Sequence, residues 1–135
     1  MFKNILVAND GSECGNRAVD LAIDLAKKYD AKISALFVMD INLDLSYDEL
    51  DDAGGIVLDE ITAKGKEAGV TVVEHIITAS PVSDMETIVR KINPDVFVIG
   101  AYGTSYDENN GVDAKFGSVA DNALKVSKVP VILVK

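Results

Sequence analysis

Five short, mainly apolar runs punctuate this chain: Ile5 to Ala8, Ile33 to Met39, Val70 to Ile77, Asp95 to Ile99 and Val129 to Val134, the last with Pro130 near its start. These are continuous runs, without the strict alternation of a strand that has one face in water. A strand of this kind must be covered on both faces, as in a parallel sheet packed between helices. The intervening segments have the periodicity of such helices. Ala18, Ala22, Leu25, Ala26 and Tyr29 fall at helical spacing, and Asp30 closes that helix. Ser80-Pro81 reads as an N-cap and first helical residue, ahead of an apolar stripe of Val82, Met85, Val89 and Ile92 that ends at Asn93-Pro94. Gly117-Ser118 opens a last helix with Val119, Ala123, Leu124 and Val126 as its apolar positions. Residues 40–69 are less regular. Leu45, Leu50, Ala53, Val57 and Ile61 point to a helix stopped at Gly69, but Gly54-Gly55 is expected to weaken or break it.

The expectation is one α/β domain across residues 1–135, an open parallel five-stranded sheet with helices on both faces. At 48% apolar and 26% charged residues, the chain can bury a core and keep a solvated surface. Its net charge of −9 argues against binding nucleic acid through phosphates and against attraction to an anionic membrane. Any phosphate ligand must then be held by backbone N–H groups, a helix terminus or a metal ion. The single cysteine, Cys14, allows no intrachain disulfide and reads as a small residue in a first helical turn. The start shows no cleavable leader, and no apolar run reaches the ~18 residues of a membrane span, so the expected location is cytoplasmic.

In open parallel sheets, ligands bind beyond the carboxyl ends of the strands, where the strand order reverses. Two such ends carry distinctive residues: Asn9-Asp10-Gly11-Ser12 after the first strand and Gly100-Ala101-Tyr102-Gly103 after the fourth. If the reversal falls between them, both loops face one crevice. Gly100 and Gly103 would let a ligand approach the backbone, and Gly117-Ser118 would offer the N–H groups of a helix start to an anion. The plainer reading is that these glycines make turns and that Ser118 is an N-cap. Asp10 either accepts hydrogen bonds from a ribose, helps hold a metal ion, or belongs to a turn and caps the next helix.

Taken together, KNILVANDGS, the Ala79-Ser80-Pro81 element and VFVIGAYG followed by FGSVADNALKVSKVPVILVK resemble the universal stress protein family over essentially the whole chain. Ala79 stands where that family usually has glycine. The resemblance implies a Rossmann-like fold with strand order 3-2-1-4-5. It implies that ATP or another adenine nucleotide is bound, since G-x-x-G, a short spacer and G-[ST] mark the ATP-binding members. Carried over, Gly100, Gly103, Gly117 and Ser118 surround phosphates and ribose, Val119 adds a backbone contact, Asp10 lies by the adenosine, and Ala8, Val38 and Ile99 border the adenine. It also implies a homodimer through Val129 to Val134. The departure is the spacer, the thirteen residues Thr104 to Phe116, which is acidic and has Lys115 as its only base. Such a stretch would repel a triphosphate, make binding depend on Mg²⁺ or Mn²⁺, or swing clear as a solvated loop.

Other readings fit less well. A phospho-accepting receiver domain needs an Asp ending the third strand, which here ends Ile76-Ile77-Thr78-Ala79. An adenylylating enzyme needs a Gly-rich Ser loop or paired histidines, whereas the only histidine, His75, lies within a strand. With no residue placed as a base, a binding module is expected, capable at most of slow metal-dependent ATP hydrolysis. The alternative within the family is a homodimeric interaction module that has lost the nucleotide.

Overall fold

The computed structural model describes residues 2–103 and 116–135. Strands and helices alternate: β1 (Asn4–Ala8), α1 (Glu13–Tyr29), β2 (Lys32–Asp40), α2 (Tyr47–Ala68), β3 (Val72–Ala79), α3 (Met85–Ile92), β4 (Val96–Gly100), α4 (Ser118–Val126) and β5 (Val131–Val134). All strand pairings are parallel, in the order β3-β2-β1-β4-β5, as the resemblance implied. Among the described residues, no helix is long and apolar enough to cross a membrane.

Side-chain alternation along the strands divides the core into two layers. Ile5, Val7, Ile33, Ala35, Val96 and Val98 face α1 and α2. Leu6, Leu36, Phe97 and Ile99 face α3 and α4. The central strands are therefore apolar on both faces because both faces are covered. Local chemistry sets the helix ends. Ser12 caps α1 by accepting the Gly15 N–H, and Asp30 ends it in a left-handed conformation with φ of 52°. Ser46 and Glu49 form a reciprocal capping box at the start of α2, and Gly69 closes that helix at φ of 74°.

Four expectations are corrected. First, α2 runs unbroken through Gly54-Gly55. A Cβ on Gly54 would lie 2.7 Å from Phe37 and 2.8 Å from Ile76, so this glycine lets the helix sit close to the sheet. Gly65 does the same against Val72. Packing here outweighs the propensity cost of glycine. Second, α3 begins at Met85, not at Ser80-Pro81. Ser80 closes a separate turn: its carbonyl accepts the Asp84 N–H at 3.0 Å, while its own N–H donates to the Asp84 carboxylate at 2.9 Å. The Val82 carbonyl, which a continuous helix would use, accepts from the Asn122 side chain at 2.6 Å, and Val82 is exposed. Third, Leu124 is exposed, and Ala120 and Ala123 carry the buried face of α4. The third strand also starts later than expected, because the Val70 N–H is spent on Gly65 O at the end of α2.

Gly54→Val is expected to destabilise the fold by about 1–3 kcal/mol through overpacking. At Gly55, a Cβ would meet nothing within 4 Å, and Gly55→Ala is expected to add about 0.5–1 kcal/mol. Urea unfolding of both variants checks the pair.

Candidate functional site

A cavity of about 450 Å³ lies beyond the carboxyl ends of β1 and β4. Its β1 wall is a tightly tied turn. The buried Asn9 accepts the Gly11 N–H at 2.9 Å and donates to Asn16 at 3.1 Å. Gly11 has φ of 89°, a conformation that favours glycine. Asp10 Oδ1 accepts the Ser12 N–H at 2.9 Å. Ser12, not Asp10, therefore caps α1, and Asp10 keeps its second oxygen, Oδ2, on the side of Gly103, where a Cβ would lie 3.2 Å from it. The Ser12 hydroxyl also reaches the Tyr102 carbonyl at 3.4 Å, linking the two loops across the strand reversal.

The three glycines of the β4 side differ in why they are glycine. At Gly100, a Cβ would lie 2.8–2.9 Å from the backbone and Cβ of Cys14 and from the Gly15 N. Its bareness seats the first turn of α1 against the end of β4, a packing role beside the ligand access expected of it. Among the described residues, Gly103 is restricted by the Asp10 carboxylate alone. Gly117 has an ordinary φ of −56°, and a Cβ there would make only van der Waals contacts of 3.5 Å and longer. Among the described residues, neither backbone conformation nor packing explains a glycine at this position.

Gly117 is the N-cap of α4, and among the described residues no side chain caps that helix. The first-turn N–H groups of Ser118, Val119 and Ala120 have no partner within the helix, and these residues line the cavity. Helix-terminal N–H groups and the positive end of the helix dipole favour an anion here. The opposite part of the cavity is apolar, with Leu36, Val38, Leu50 and Met85 in its lining.

All nine residues expected at the site, Ala8, Asp10, Val38, Ile99, Gly100, Gly103, Gly117, Ser118 and Val119, line this one cavity. Asn9, Ser12 and Tyr102, from the two loops expected to face the crevice, line it too, whereas sequence reasoning missed Asp40 among the polar lining residues and Leu43, Leu50, Pro81 and Met85 among the apolar ones. Asp40 ends β2 much as Asp10 follows β1, so the strand-end rule applied to every strand would have found it. Among the described residues, no group of three or more His, Cys, Asp or Glu converges on a point. The acidic stretch between Gly103 and Phe116 lies outside the described residues. Cys14 is buried in the first turn of α1, with the Arg17 guanidinium 3.0 Å from its sulfur.

The pattern that defines the universal stress protein family matches residues 1–135. A universal stress protein of Methanocaldococcus jannaschii is 26% identical over 145 residues, covering 100% of this chain and 83% of that protein. The solved structure of a universal stress protein from Archaeoglobus fulgidus, in complex with dAMP, superposes with a TM-score of 0.76 at 18% identity, covering 100% of this chain and 98% of that one. A universal stress protein family protein of Arabidopsis thaliana with AMP bound superposes with a TM-score of 0.70 at 23% identity, covering 98% and 91%.

The contrast between the glycines gives a stability test. Gly100→Ala is expected to cost about 1–3 kcal/mol, since backbone atoms must shift to make room. Gly117→Ala is expected to stay within about 1 kcal/mol of the parent. Equal losses in denaturant unfolding would contradict the assignment.

Proposed function

We propose that this chain, which belongs to the universal stress protein family, binds an adenine nucleotide, ATP or AMP, and serves as a regulatory module in a stress response without being a dedicated catalyst. The observation that carries this reading is Gly117: a glycine that no described neighbour requires, at the start of α4, in the same cavity as Asp10. A bare Cα there leaves room for a phosphate against the helix N-terminus. The volume of about 450 Å³ is that of an ordinary small-molecule site. AMP and dAMP in the two related structures agree with this choice of ligand class.

In this reading the adenine lies against Ala8, Val38 and Ile99, and Asp10 accepts from the ribose. Gly103, Gly117, Ser118 and Val119 meet the phosphates, and Gly100 sets the backbone beside them. The residues fit the ligand, with one electrostatic demand. The cavity carries the carboxylates of Asp10 and Asp40 and lies in a chain of net charge −9. Mg²⁺ or Mn²⁺ accompanying a triphosphate would offset that repulsion.

The reading extends to assembly. β5 is a sheet edge, and all four of its residues, Val131 to Val134, are only half-buried. Pairing this edge with a second copy would cover an apolar strand that otherwise offers a template for aggregation. A homodimer through the last strand follows, and sedimentation measures it.

Two measurements test the nucleotide. The freshly purified protein, with no Trp and four Tyr, absorbs weakly near 280 nm, so a co-purified adenine nucleotide stands out in its spectrum and mass analysis of the heat-released material names it. After dialysis, Gly117→Val is expected to weaken ATP binding by about tenfold or more, about 1.4 kcal/mol, with the thermal midpoint little changed. Parental affinity in that variant would place the site elsewhere. A dialysed protein that takes up no adenine nucleotide with Mg²⁺ or Mn²⁺ would leave the interaction module without nucleotide.

A further inference from the structure

A second cavity, of about 500 Å³, lies on the other side of β2, between α3 and the edge strand β3. No residue lines both cavities. It exists because α3 is only eight residues long and leaves part of the sheet uncovered on its face. Val73 and Ile77 of β3 pair in register with Ser34 and Val38 of β2, so alternate β3 residues, His75 among them, face this groove.

One end of the groove is polar. The Ser34 hydroxyl, 2% exposed as a residue, donates to Asn4 Oδ1 at 2.7 Å, and Asn4 Nδ2 donates to the Ile92 carbonyl at 3.3 Å. Asn4 thus ties the floor of the sheet to the last turn of α3 and occupies one carbonyl at the negative end of that helix. Lys32, the register partner of Asn4, and Lys91, beside Ile92, line the same end. Arg17, Lys28, Lys64 and Lys125 are spent on carboxylates, whereas the side-chain ammonium groups of Lys32 and Lys91, like those of Lys27 and Lys66, have no ion-pair or hydrogen-bond partner among the described residues and stay available to a ligand. Burial, and then the charge of Lys32, hold the His75 pKa below its ordinary value, so near neutral pH the imidazole offers a hydrogen bond without a charge. Asp84, the carboxylate lining the groove, begins the other end of α3, about 10 Å of helix away from Lys91, and is held by the Ser80 N–H. Asp95, near Asn4 in the fold, accepts the N–H groups of Lys3 and Asn4. The remaining walls are apolar, from Val73, Ile77 and Ile88.

We propose that this groove binds a small amphipathic anion, a carboxylate or phosphate head held between Lys32 and Lys91 with a short aliphatic chain along Val73, Ile77 and Ile88. The site is independent of the nucleotide cavity, and its occupancy reports on a different class of molecule.

His75 is the only histidine, so its imidazole proton resonance is a single reporter within the groove. Octanoate and octyl phosphate are titrated in parallel, with octanol as the uncharged control. The expected result is a saturable His75 shift with at least one anion and none with octanol; the tighter of the two identifies the head group. Because Lys32 and Lys91 are exposed, the double variant Lys32→Ala/Lys91→Ala should fold, and it should lose about tenfold or more in affinity, while Lys32→Arg/Lys91→Arg keeps most of it. Failure of both anions to saturate, equal affinity in the double alanine variant, or an equal response to octanol would overturn the proposal.

Discussion

The strand reversal between β1 and β4 is the constraint on which the site depends. The chain leaves β1 toward α1 on one face of the sheet and leaves β4 toward α4 on the other, so the two loops part and a cleft must remain between them. The cleft is defined by very close packing at its root. Gly100 allows the first turn of α1 to rest on the end of β4, the Ser12 hydroxyl reaches Tyr102, and Asn9 locks the turn that presents Asp10. The Asp10 carboxylate and the start of α4 are thereby brought to the same space, both beside Gly103.

Much of this was readable because the relevant residues have local causes. The apolar runs imply a sheet covered on both faces, Asp30 and Gly69 stop their helices where left-handed conformations are needed, and Gly117-Ser118 marks a helix start after a loop. What the sequence concealed has non-local causes. Gly54 looks like a helix breaker until Phe37 and Ile76 are seen pressed against it. Ser80-Pro81 has the chemistry of a helix start, but the Asn122 side chain takes the Val82 carbonyl and Asp84 begins the helix instead. Leu50, Met85 and Asp40 enter the cavity from three different elements, and no spacing along the chain joins them. The same applies to Gly100, whose motif position suggested ligand access and whose neighbours show a packing role.

Charge organises the surface in a similar way. Most of the described basic side chains that form ion pairs do so on helices, three of them with the carboxylate four residues away, where such pairs contribute little individually. No described basic side chain lines the β1–β4 cleft, so in the proposed reading anion recognition there falls to backbone N–H groups. Lys32 and Lys91 beside β3 are the proposed side-chain counterpart, in a separate groove.

The central claim is that a nucleotide phosphate meets the start of α4. Nuclear magnetic resonance of the isotopically labelled protein, titrated with AMP and then with ATP and Mg²⁺, tests it most directly. The account predicts the largest amide shifts at Gly103, Gly117, Ser118 and Val119, with smaller ones at Asp10 and Val38. Saturable binding that leaves the α4 amides unmoved and shifts residues elsewhere in the fold would contradict it.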